Sequence, residues 1–146
     1  MRSRLLTGVA LVAAFYVGWS VRGDRDVASA QTRKPIMMTR IYTGPDGLSH
    51  AEQVEMKLTP AGISAMKATS VEFSSRPAAP GGDWHTGPRR QFVITLSGRA
   101  ELEVANGQKV QAGPGNINLI EDTTGKGHIT RNLEDRIVVT IPLADQ

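Results

Sequence analysis

Between Arg40 and Ile141 the chain is interrupted every few residues by turn chemistry, and this punctuation leaves no room for a regular helix. Gly44-Pro45-Asp46-Gly47, Thr59-Pro60, the run Ala78-Ala79-Pro80-Gly81-Gly82, Asn106-Gly107 and Gly113-Pro114-Gly115 each force a bend, because Pro fixes φ and removes a donor while Gly accepts positive φ. The segments between them are short, and several alternate apolar with polar residues or are rich in β-branched ones. Strands are expected over residues 40–43, 54–58, 66–73, 91–96, 100–104, 109–111, 117–120 and 137–141. Asn106-Gly107 between two such segments is a strong hairpin signal. No window after residue 30 keeps a 3.6-residue period over three turns. The expected fold class is all-β, a sandwich or barrel. A jelly roll is favoured, because the turns are uneven and neither a disulfide nor a Trp-centred immunoglobulin pattern is present.

The N-terminus has a different character. Arg2 and Arg4 precede an apolar run over 5–21, and Ala28-Ser29-Ala30 forms an A-x-A cleavage pattern. Residues 1–30 are therefore expected to be a signal peptide, or alternatively an uncleaved anchor. Residues 31–38 are expected to be a linker and 39–146 the folded domain. Either reading of the N-terminus places that domain outside the cytoplasm, periplasmic or secreted in the first case and membrane-anchored in the second. There are no cysteines, which excludes disulfides, thiolate metal sites and a Cys nucleophile. The pI near 9.6 hints at a polyanionic partner. However, residues 1–30 hold four of the seventeen basic and two of the fourteen acidic residues, so the remainder is close to neutral. With aromatics at 5%, it offers neither a phosphate-neutralising stripe nor a stacking platform, and no nucleic-acid partner is expected.

The chemistry concentrates in two stretches. In 83–98, His85 enters a strand on which alternation puts Gln91, Val93 and Thr95 on one face and Phe92, Ile94 and Leu96 on the other. One wall of a barrel would then be polar-lined and the other apolar. In 113–132 a Gly-Pro-Gly turn is followed by His128 and Asn132. Glu101 and Glu103 alternate with Leu102 and Val104 and read as the outer face of a strand. His50 reads as a surface residue. Glu121-Asp122 read as part of a polar turn, with the alternative that they reach the pocket mouth and supply a carboxylate.

These two stretches resemble the paired motifs of the cupin family, Gly-x5-His-x-His-x3,4-Glu-x6-Gly and Gly-x5-Pro-x-Gly-x2-His-x3-Asn. His85 falls on the first His, Gly87 on the second, Gln91 on the Glu and Gly98 on the closing Gly. Gly113-Pro114-Gly115 matches the second turn, His128 its ligand and Asn132 its Asn, with 121–127 as an insertion. The resemblance implies a cupin-type jelly-roll barrel, commonly a homodimer, with His85 and His128 sharing a lumen as catalytic groups. It also implies one divalent metal ion (Zn, Fe, Mn or Ni) held by His85, Gln91 and His128. Gly87 and Gln91 depart from the three-His, one-Glu set, so a metal-free pocket with acid/base histidines stands beside the metal reading.

Trp84, Arg89, Thr95 and Thr130 are the expected substrate-pocket residues, with Arg89 suited to grip an anionic ligand through its guanidinium fork. The functional expectation is an exported cupin that binds a small polar or anionic organic molecule in the barrel, with metal-dependent catalysis of isomerase, lyase or dioxygenase type as an addition to binding rather than a requirement of it. The alternative is a non-catalytic ligand-binding or sensing module of the cell envelope. A membrane enters either reading only through an uncleaved N-terminal segment.

Overall fold

The first two strands form a hairpin whose turn is the Gly44–Gly47 cluster. β1 (Met37–Thr43) pairs antiparallel with β2 (Ser49–Glu55), from Thr43↔Ser49 to Met37↔Glu55. The computed structural model describes residues 34–62 and 64–144, and all of these but Lys34 fall in the unit Pro35–Gln146. The expected signal peptide or anchor at 1–30 lies outside the described residues. The chain continues through β3 (Glu72–Arg76), β4 (Gln91–Ser97), β5 (Ala100–Glu103), β6 (Lys109–Ala112), β7 (Ile117–Glu121), β8 (Ile129–Asn132) and β9 (Arg136–Pro142). The described residues contain no helix.

The nine strands form two sheets. One has six strands in the order β2-β1-β7-β4-β9-β3, and the other has three in the order β6-β5-β8. Within the larger sheet β1 and β7 run parallel, and the other pairs are antiparallel. The fold is thus an all-β, two-sheet sandwich compatible with a cupin-like barrel.

The core lies between the sheets. Ile41, Val93, Ile120 and Val138 from the larger sheet meet Ala100, Leu102, Val110 and Ala112 from the smaller. The opposite face of the larger sheet carries a second cluster of Met38, Phe92, Leu119 and Leu143, with Met56, Ile117 and Ile141 packed against it. An apolar cavity of about 240 Å³ sits on that face, bounded by Met56, Met66, Phe92, Ile94 and Leu143. The sheet is therefore covered on both sides, which explains why Phe92-Val93-Ile94 is apolar without interruption. A register shift between Thr95 and Ser97 leaves Leu96 half exposed while Thr95 stays fully buried.

Several boundaries differ from the sequence expectation. β1 begins at Met37, inside the segment expected as linker, because Met38 is buried in the second cluster. The second strand is 49–55 rather than 54–58, since the Gly44–Gly47 hairpin sets the register and leaves Val54 near its end. The third is 72–76 rather than 66–73. Ser74, Ser75 and Arg76, beyond the end of the expected strand, pair with Val138, Ile137 and Arg136, while Val71 and Phe73 are exposed. Glu101 and Glu103 lie on the outer side of β5, in ion pairs with Lys109 (2.9 Å) and Arg131 (2.7 Å) respectively.

Candidate functional site

The site is built on a close approach of two loops. The backbone N–H of His85 donates to the His128 carbonyl at 3.0 Å, and the His128 N–H donates back to the His85 carbonyl at 2.9 Å. Gly127 makes this possible. Its φ is +71°, and a Cβ there would fall 2.1 Å from the His85 carbonyl oxygen. Ser49 secures the same loop from β2, its hydroxyl donating to the Gly127 carbonyl at 2.6 Å.

The two imidazoles lie with ring centroids 4.6 Å apart, and their outer-shell bonds fix the proton positions. His128 Nδ1 bonds Asp122 Oδ2 at 2.6 Å, with the His128 side chain 6% exposed and that of Asp122 completely buried. His85 Nδ1 bonds the Asp83 carbonyl at 3.0 Å. A carboxylate and a carbonyl both accept, so each Nδ1 carries the proton. Nε2 is then the available ring nitrogen on both residues. His128 lies deep, whereas His85 is exposed. Asp122 is therefore not a turn residue on the surface. It stands at the end of β7, buried by the loop it helps to close, and it backs the inner histidine.

Both histidines open on a cavity of about 150 Å³ between the sheets, also lined by Arg76, Gln91, Asn118, Thr130 and Arg136. The register orders these residues along the cavity. Gln91 pairs with Ile120 near the histidine end, Val93 pairs with Asn118 one step inward, and Arg76 pairs with Arg136 at the far end. The smaller sheet runs the same way, from His128 through Thr130 to Asn132, whose Oδ1 accepts from Arg136 at 3.2 Å.

Arg136 is 2% exposed and its Nε has no partner. Burial, with the neighbouring Arg76 charge adding to it, pulls its pKa down to about 10. Burial lowers that of Arg76 as well. Neither guanidinium has a carboxylate partner among the described residues. Asn118 is 1% exposed, and both its amide nitrogen and its amide oxygen are unpaired.

Of the residues expected to form the site, the structure brings His85, Gln91, Thr130 and His128 together around the cavity. Thr95 is buried with its hydroxyl unpartnered and does not line it. Trp84 also lies outside the lining, its ring under the Lys126 ammonium at 3.9 Å. Arg89 points away, exposed and 3.7 Å from Glu72. Its neighbour Arg90 bonds Glu121 at 2.5 Å, and Arg40 holds the other oxygen of that carboxylate at 2.5 Å. His50 is paired with Asp46 at 3.0 Å. The cavity arginines are therefore Arg76 and Arg136, which the sequence reading missed. For Arg136 a signal was present, since it shares alternation with Val138 and Thr140 once the last strand is started one residue earlier. Arg76, next to Pro77, gave none.

Of the metal set that the resemblance implies, His85, Gln91 and His128 all line the cavity, with two imidazoles and one neutral amide as donors. Among the described residues, no group of three or more His, Cys, Asp or Glu is arranged to hold a metal ion. Position 87, where the motif has its second His, is tight, because a Cβ would lie 2.5 Å from Ile120 Cγ2 and that methyl group would have to shift. Two unneutralised guanidiniums in the same cavity add repulsion toward a dication. No protein-family model matches the chain, and no curated protein matches it.

Proposed function

We propose that this chain is an exported cupin-type jelly-roll barrel whose cavity binds a small polar organic molecule and moves a proton on it without a metal. The buried 2.6 Å bond between Asp122 and His128 carries this reading. A carboxylate behind an imidazole fixes the tautomer that leaves Nε2 basic, and it stabilises the imidazolium formed when that nitrogen takes a proton.

His128 is the general base. Its Nε2 accepts a proton from a carbon adjacent to a carbonyl. The C–H bond breaks, its electron pair moves to the carbonyl oxygen as an enolate, and the new imidazolium faces Asp122. Return of a proton to a carbon completes an exchange or an isomerisation. His85, exposed beside it, offers a second Nε2 through which protons pass to solvent. The motif resemblance and the export expectation for residues 1–30 support the family and compartment in this proposal.

The test is α-proton exchange in D2O, followed by NMR, with the full chain acting on pyruvate and on hydroxyacetone. Exchange is expected on at least one probe, to survive a chelator, and to fall by about 10²-fold or more in His128→Ala and Asp122→Asn. Equal rates in wild type and folded His128→Ala overturn the proton-transfer reading. Binding of a probe without any exchange favours the ligand-binding module instead.

A further inference from the structure

We propose that Arg76, Arg136 and Asn118 form a carboxylate-recognition site at the inner end of the cavity, so that the ligand is a small organic acid. This rests on the reading of the cavity as a small-molecule site and names the class of molecule.

The observation is an excess of buried polar groups with nothing to bind. Buried guanidiniums in proteins are ordinarily paired, since an uncompensated charge away from water is costly. Arg136 is buried to within 2% and meets only a neutral amide oxygen at 3.2 Å. Arg76, half-buried on the edge strand and paired with it across β3 and β9, reaches Thr140 Oγ1 at 3.5 Å and no carboxylate among the described residues. Placing two like charges together without an anion raises the cost further. Asn118 adds an unpaired donor and an unpaired acceptor at 1% exposure, on the same wall. An anion between the guanidiniums would neutralise the repulsion, and the Asn118 amide would donate to it. The planar fork of Arg matches a carboxylate through two parallel bonds.

Size and order narrow the class. A cavity of about 150 Å³ holds roughly five water molecules. That admits a carboxylate followed by two or three further carbons or oxygens. With its carboxylate at the arginine end, the acid extends past Asn118 and Gln91 toward His128.

Binding of pyruvate, hydroxyacetone and inorganic phosphate to the full chain, followed by calorimetry, tests this directly. Pyruvate and hydroxyacetone are close in size and differ in the carboxylate. Pyruvate is expected to bind at least about tenfold tighter than hydroxyacetone. The preference should disappear in Arg136→Leu and in Arg76→Gln, and a part of it should survive in Arg136→Lys, which keeps charge but not the fork. Equal affinities for the two probes overturn the proposal, as does an unchanged preference in the folded Leu and Gln variants, or phosphate binding with no pyruvate binding. Retained preference in His128→Ala, with exchange lost or never present, separates this site from the proton-transfer reading. Exchange on both probes without preference fails this proposal alone.

Discussion

His85 and His128 are joined through their backbones as well as brought close at their rings, which are tilted 57° to each other. Each donates its N–H to the other's carbonyl, at 3.0 and 2.9 Å, and the centroids stand 4.6 Å apart. The ring separation is thereby tied to a main-chain bridge, which has fewer ways to drift than two free side chains.

Gly127 is the residue on which that bridge depends. Gly127→Ala places a methyl group 2.1 Å from the His85 carbonyl oxygen at a φ of +71°. Gly107→Ala is the matching control, because φ there is +82° and nothing lies within 4 Å of the added carbon. The control should cost about 1 kcal/mol from backbone strain alone. Gly127→Ala should cost about 2–4 kcal/mol and slow any exchange on the histidine probes. Thermal melting of the two variants decides it, and equal losses would sink the close-approach account.

This bridge also marks where sequence reasoning stopped. The pairing of His85 with His128 was legible because two spaced motifs carried it, and the inward face of β4 because Gln91, Val93 and Thr95 alternate with Phe92 and Ile94. Asp122 was legible only as the lesser alternative to a polar turn. A Glu-Asp pair ahead of Thr-Thr-Gly has the composition of an exposed turn, and only the folding of that loop onto Gly87, whose N–H donates to the Asp122 carbonyl at 3.0 Å, buries it. The arginines failed for a related reason. Arg89 and Arg90 sit beside the motif and attract a functional reading, yet they face outward to Glu72 and Glu121. Arg76 and Arg136 meet through a pairing of strands sixty residues apart in sequence, which local pattern does not encode.

Glu121 supplies an acid-dependent contribution to stability. Burial pushes its carboxyl up, but the hydrogen bonds from Arg90 and Arg40 outweigh this and hold it below the ordinary value of 4.5. A carboxylate with a depressed folded-state pKa stabilises the fold fully above its unfolded value and loses that contribution as pH falls through the folded one. Glu121→Gln should therefore destabilise the protein by about 1–3 kcal/mol at pH 7, with the gap to wild type closing below about pH 4. Urea unfolding of both proteins across this range measures it. A gap that stays constant with pH would assign the residue's role to packing.

Arg136 gives the sharpest separation between a structural and a ligand-directed role. Its pKa of about 10 lies below the ordinary 12.5, so the charged form is disfavoured by folding. For a base, the sign means that the charge costs stability at every pH below about 10 and is relieved only above it. Leucine at this position keeps apolar volume and removes the buried charge, at the expense of the 3.2 Å bond to Asn132. Replacing such a charge with a hydrophobic group is commonly neutral or stabilising, so Arg136→Leu should gain about 1–3 kcal/mol in the absence of ligand. Pyruvate should raise the melting temperature of wild type and leave that of the variant unchanged, because stabilisation by a ligand requires binding to the native state. A variant that melts lower than wild type without ligand means that Arg136 holds the sheets together on its own account. A gain in stability coupled to loss of the pyruvate effect means that the fold tolerates this charge for the anion it binds.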